Sequence, residues 1–267
     1  MSTATQNIEE VHLLTPASPE KQIYFLSDFH LGAPNYKDSL AREKKLLAFL
    51  DEIQHKASAI FLLGDMFDFW YEYKHVVPKY YVRLLGRLAQ LADSGIPMYF
   101  FVGNHDMWMK DYFEVELGIK VYFEQQVFES AGKRLYVAHG DGLGPGDKGY
   151  KFLKKIFRSR CCNWLFGKLH PDWGIGLASY FSRKSRAKTG SADAVWMGED
   201  KEWLVIHSKQ LLEGAHFDFF VYGHRHYPIQ LDLSSNSQYV NLGDWITNFT
   251  YASFDGSKMY LHKWESA

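Results

Sequence analysis

Five short groups of oxygen and nitrogen donors punctuate this chain. They are Asp28 with His30; Asp65 after Gly64; Asn104, His105 and Asp106 after Gly103; His139 and Asp141 around Gly140; and His224 with His226 after Gly223. Each closes an apolar stretch. Mixed carboxylate, imidazole and amide donors suit a divalent transition metal at a hydrolytic site. Asp28 and His30 stand two apart, as do His224 and His226, so along an extended exit each pair points to one side. Asp65 is the natural bridge, since a shared carboxylate holds two ions roughly 3.5–4 Å apart. Asn104 adds a neutral amide oxygen, and His139, His224 and His226 add imidazoles. Two ions held this close are a device for attacking phosphorus. Singly, each group has an ordinary explanation: Gly-Asp as a turn, His139 as a satisfied polar residue, His105 as a turn residue. The argument rests on their joint occurrence in order.

The elements that must position these groups are legible. Ile23–Leu26, Ala59–Leu63 and Pro97–Val102 are apolar runs of strand length, ending just before the first three groups. Between them, Ser39–Ile53 and Tyr80–Leu91 carry apolar residues at helical spacing. Strands alternating with helices imply a parallel α/β sheet, whose ligands gather beyond the carboxyl ends of the strands. The second half offers short β candidates at 121–123, 127–129, 134–138, 217–222, 229–233, 239–241, 249–254 and 258–262. Its expected form is a β meander, giving two mixed sheets face to face with helices outside.

The chain of 267 residues is 46% hydrophobic, so it can bury a large core. A net charge of −1 argues against a surface that seeks nucleic acid throughout. The two cysteines, Cys161 and Cys162, are adjacent and read as reduced thiols of a cytoplasmic protein. Residues 1–20 are polar, lack the apolar core of a signal peptide and read as a flexible tail. No segment supplies the roughly 20 apolar residues that span a bilayer.

The stretch from Gly142 to Lys188 differs from the rest. It opens on a Gly/Pro hinge and continues as an apolar-faced helical run, Tyr150–His170, which Pro171–Gly176 is expected to break. It holds eleven basic and two acidic residues, a net +9, which leaves −10 for the remainder of a chain totalling −1. The organisation read here is a catalytic body at 21–141 and 191–267 and a helical insertion, or lid, at 142–190. An apolar face beside a cationic one suits an anionic amphiphile or membrane surface. A solvated helical hairpin is the plain alternative.

In these motifs, the chain resembles the calcineurin-like metallophosphoesterase superfamily over most of residues 23–241. The resemblance implies an α/β, four-layer α/β-β-α sandwich. It also implies one metal held by Asp28, His30, Asp65 and His226, and a second by Asp65, Asn104, His139 and His224. His105 would lie beside the phosphate, in proton transfer or charge stabilisation, with Asp68 and Asp106 orienting it.

Asp28-Phe-His-Leu-Gly32, Leu63-Gly-Asp-Met-Phe-Asp-Phe-Trp70 and the insertion after Asp141 are similar to the UDP-2,3-diacylglucosamine hydrolases of lipid A synthesis. That likeness implies a pyrophosphate cleavage releasing UMP and 2,3-diacylglucosamine 1-phosphate. Manganese is the expected metal, with iron or zinc as alternatives, and the site of action is the cytoplasmic face of the inner membrane. By the same analogy Phe152, Phe157, Trp164, Leu165 and Phe181 would line an acyl chamber. Arg183, Lys184 and Arg186 would meet phosphate or headgroup. No obligate protein partner is expected. The best-known branch reads Gly-Asn-Arg-Asp where this chain has His105. Two alternatives stay open: a broader phosphodiesterase or pyrophosphatase for nucleotides or other lipid phosphates, and a non-catalytic scaffold on the same fold.

Overall fold

A computed structural model describes residues 10–146 and 148–265, without the side chains of residues 183 and 185–193. The first half contains β1 (Val11–Leu13), β2 (Gln22–Leu26), α1 (Tyr36–Ile53), β3 (Ala57–Leu62), α2 (Val82–Asp93), β4 (Met98–Phe101), α3 (Tyr112–Val115) and β5 (Lys120–Tyr122). Then come β6 (Gln126–Ser130), β7 (Lys133–Ala138), α4 (Lys148–Phe157), α5 (Arg160–Phe166), α6 (Pro171–Asp193) and α7 (Trp203–Leu212). The chain closes with β8 (Phe219–Tyr222), β9 (Ile229–Ser234), β10 (Ser237–Asn241), β11 (Thr250–Phe254) and β12 (Met259–Lys263).

Two six-stranded sheets form, in the orders β1-β6-β7-β8-β10-β9 and β12-β11-β2-β3-β4-β5. They stack because their central strands are apolar on both faces, with a period of two. On β2, Ile23 and Phe25 enter the core between the sheets, while Tyr24 and Leu26 enter the core shared with α1 and α2. On β8, Phe219 and Val221 face inward, and Phe220 and Tyr222 face Leu204 and Val205 of α7. Helix, sheet, sheet, helix is the expected four-layer α/β-β-α sandwich. β2, β3 and β4 run parallel, so the loops carrying Asp28, Asp65 and Asn104 leave from the same edge.

Four details depart from expectation. The second half is not a simple meander: β7, β8 and β10 are parallel, because α4–α7 carry the chain back between β7 and β8. Val11–Leu13, within the stretch read as a flexible tail, adds a parallel edge strand to β6. The run Tyr150–His170 is not one helix. Ser159 caps α5, its Oγ accepting the Cys162 amide at 3.2 Å. Pro171 starts α6 rather than breaking a helix, since a first-turn proline gives up only an amide with no intrahelical partner.

α4, α5 and α6 present the apolar side chains singled out above to the outside. Phe152, Phe157, Trp164, Leu165 and Phe181 are 43–65% exposed, too open to be the core of a helical hairpin. Lys184 is exposed; the side chains of Arg183 and Arg186 lie outside the described residues. Among the described residues no helix is long and apolar enough to cross a membrane.

Candidate metal centre

The ligand loops are built from strained backbone. Asp28, His30, Asp65 and His224 have φ of 57°, 43°, 53° and 65°. Such left-handed conformations cost a side-chain-bearing residue about 1–3 kcal/mol and persist only where the surroundings enforce them. Here the loops enforce one another: the Asp28 amide donates to Gly64 O at 3.1 Å and the His30 amide to Asp65 O at 2.9 Å. Two glycines make room. A Cβ on Gly103 would strike the Asp65 carboxylate, and one on Gly223 would strike Ser27 and Asp28.

Among the described residues three three-residue clusters form, Asp28–His30–His226, Asp65–His139–His224 and, sharing His30 with the first, His30–Asp68–His105, with the donor atoms of each within 4.8 Å of one another. In the first, Nε2 of His226 lies 3.2 Å from Nε2 of His30 and 3.3 Å from Asp28 Oδ1. Asp65 Oδ2 lies 3.7 Å from His30 Nε2 and 3.6 Å from His139 Nε2, so one carboxylate oxygen faces both of the first two clusters. Asn104 Oδ1 is 3.2 Å from His139 Nε2. The opposite nitrogen of His139 is 2.6 Å from Leu63 O. A carbonyl only accepts, so Nδ1 carries the hydrogen and Nε2 turns its lone pair to the centre.

The electrostatics fit cations. Burial opposes ionisation of Asp65, yet the imidazoles of His139 and His105 hold its carboxyl well below the usual range. Burial likewise opposes ionisation of Asp28, and His226 and His30 outweigh it. Burial lowers His139 and His226, but Asp65 and Asp28 respectively pull their imidazoles up to about 10 and about 9. His30 stays low, chiefly through burial. The pull on His139 and His226 is the buried negative charge of Asp65 and Asp28, which a metal cation at the centre would satisfy in place of a proton. Asp28 Oδ1 is buried without a hydrogen-bond partner, the kind of oxygen that a cation would satisfy. The donor set and this orphaned oxygen fit a pair of divalent ions.

The other expected site residues divide. His105 sits over the centre: its amide donates to Asp65 Oδ1 at 2.8 Å and its ring meets His30 edge-on at 4.7 Å between centroids. Asp68 is beside it, with its carbonyl oxygen 3.0 Å from His105 Nδ1. The hydrogen bonds of Asp106 go to backbone amides. Its two oxygens accept the amides of Gly103 at 2.7 Å and Met66 at 3.0 Å, lacing the second loop to the third. Burial and the Asp65 charge push Asp106 up to about 8.

Several residues of the site's surroundings escaped the sequence reading. Ser27 donates to Asp28 Oδ2 and so adds to its orientation. Asp141, read only as part of a donor group, clasps α4 by accepting from Lys154 at 2.7 Å and from the Tyr150 hydroxyl. Ser182 of α6 reaches Asp68 and His105. Only the Asp141 contact had a local signal, a buried-type motif followed nine and thirteen residues later by Tyr150 and Lys154.

A sandwich of this kind carrying these His/Asp clusters defines a metal-dependent phosphoester hydrolase. The chain belongs to the calcineurin-like phosphoesterase family, which matches residues 21–228. It is 38% identical over 256 residues to the UDP-2,3-diacylglucosamine hydrolase of Porphyromonas gingivalis, covering 91% of this chain and 98% of that one. A Shewanella UDP-2,3-diacylglucosamine hydrolase is 28% identical over 221 residues, covering 83% of this chain and 88% of its own. Among solved structures, a dimetal phosphatase from Danio rerio aligns over 93% of this chain and 100% of its own, with a TM-score of 0.43 and 12% identity.

Proposed function

We propose that the protein hydrolyses the pyrophosphate of UDP-2,3-diacylglucosamine, giving UMP and 2,3-diacylglucosamine 1-phosphate. One observation carries this reading: the 38% identity to a hydrolase of that substrate extends over 91% of the chain. The exposed apolar residues Phe152, Phe157, Trp164, Leu165 and Phe181 supply a surface for acyl chains. Arg183, Lys184 and Arg186 follow Phe181 on α6 as partners for the phosphate or headgroup. The cytoplasmic face of the inner membrane is the proposed place of action.

Asp28, His30, Asp65 and His226 would hold one ion, and Asp65, Asn104, His139 and His224 the other, with manganese preferred. When bound, two such ions supply an acidified water and neutralise phosphoryl charge. The chain's own residues do the rest. Asp65 fixes the spacing between the clusters. His105 keeps its hydrogen-bearing Nδ1 on Asp68 O, which leaves Nε2 to meet a phosphoryl oxygen or the leaving group. Asp106 holds the two loops that deliver Asp65 and Asn104.

The test is an assay with added manganese, measuring UMP and the acylated sugar phosphate separately. Equal appearance of both supports the reading. Faster turnover of water-soluble diphosphates would favour the broader phosphodiesterase, whose supporting observation is a histidine at position 105.

A further inference from the structure

α6 belongs to the insertion, yet it enters the centre through one side chain. Ser182 Oγ lies 2.8 Å from Asp68 Oδ1 and 3.1 Å from His105 Nδ1. Without it, the Asp68 carboxylate and the His105 ring are 3.7 Å apart, too far for a direct hydrogen bond. The direction of each bond follows from the donors available. His105 Nδ1 already faces a carbonyl and carries a hydrogen, so Ser182 Oγ accepts from it. The serine hydroxyl hydrogen is then free to go to the buried Asp68 carboxylate.

We propose that Ser182 is a positioning residue that bridges Asp68 to His105 and makes the orientation of His105 depend on the seating of α6. This rests on the reading of the centre as a phosphoester hydrolase, but not on the identity of the substrate. Of the apolar residues that would receive acyl chains, Phe181 stands next to Ser182 on α6. A substrate that settles α6 therefore also settles the imidazole beside its phosphate. The Asp68 carbonyl holds His105 directly, and its carboxylate acts on the ring through this hydroxyl.

The experiment compares wild type, Ser182→Ala and Ser182→Thr, each loaded with manganese, on bis(p-nitrophenyl) phosphate. That diester has no acyl chain and reads His105 alone. Ser182→Ala should lower kcat about tenfold, the scale of one charge-assisted hydrogen bond, with KM and metal content unchanged. Ser182→Thr keeps a hydroxyl and should restore most of the loss. Independently of turnover, amide hydrogen exchange across α6 should quicken in Ser182→Ala and not in Ser182→Thr. An unchanged kcat, a threonine variant no better than alanine, or unaltered exchange in α6 overturns the proposal. Activity on the diester without activity on UDP-2,3-diacylglucosamine would remove the substrate assignment and leave the Ser182 bridge standing.

Discussion

Arg225, the residue between His224 and His226, is locked to Glu202 just ahead of α7, with Nε 3.0 Å from Oε1 and the two side chains only 14% and 4% exposed. A second guanidinium nitrogen donates to Val195 O at 2.8 Å. The loop that presents two imidazoles is therefore fastened to the segment by which the chain leaves the insertion.

Arg225→Ala leaves Glu202 buried without its main partner. Loss of one member of a buried ion pair typically costs about 3–5 kcal/mol. The variant should unfold at markedly lower denaturant concentration and bind manganese more weakly, because His224 and His226 lose their support. A chemical-denaturation curve and a metal titration decide it. An unchanged midpoint would mean the pair contributes nothing net.

Asp65→Asn keeps the shape of the bridging side chain but removes its charge, at a position facing the clusters of His30 and His139. Turnover should fall by about 100-fold or more, as for other losses of a central electrostatic group. Metal analysis of the purified protein should show depleted binding. Near-normal turnover would sink the two-ion reading.

His207 of α7 is half-buried against Tyr136, whose hydroxyl lies 3.2 Å from its Nε2. Burial, helped by the nearby Lys151 charge, pushes its pKa down to about 4. The sign follows directly. The unfolded chain binds this proton at higher pH than the native one, so stability is fully present above about pH 6.5 and is lost as pH falls towards 4. At most about 3 kcal/mol is involved. Thermal melts of chelator-treated wild type and His207→Gln should converge as the pH is lowered through this window. Parallel curves would refute it.

The exposed apolar side chains of the insertion predict a split between substrates. Replacing Phe152 and Trp164 together by serine removes surface that the fold leaves mostly exposed, so thermal stability should stay within about 1 kcal/mol of wild type. Turnover of the acylated substrate should fall by about 100-fold, while bis(p-nitrophenyl) phosphate is cleaved as before. Equal losses on both would make the insertion structural.

Much of this site was legible because its chemistry is written in residue type and order. Asp28, His30, Asp65, Asn104, His139, His224 and His226, picked out by type and order, are brought together in the structure, since donors after apolar runs land on one edge of a parallel sheet. The layers followed from the same runs, whose alternation at Ile23–Leu26 sorts residues between two cores. What stayed hidden depends on contacts between distant, common residues. Nothing local marks Ser182 as reaching Asp68, or Arg225 as finding Glu202. Pro171 was misread because a proline that opens a helix and one that breaks it look alike from the flanking sequence. Val11–Leu13 was missed because three residues carry too little alternation to announce a strand.

The left-handed turns at Asp28, His30, Asp65 and His224 set a condition on transplanting this centre. Copying its seven donor side chains onto ordinary strand ends of another scaffold would aim them apart, because the aiming is done by backbone that side-chain-bearing residues resist. A working graft must carry whole loops, with Gly103 and Gly223 and the amides that tie one loop to the next. The smallest portable unit is the edge of the sandwich rather than the list of ligands.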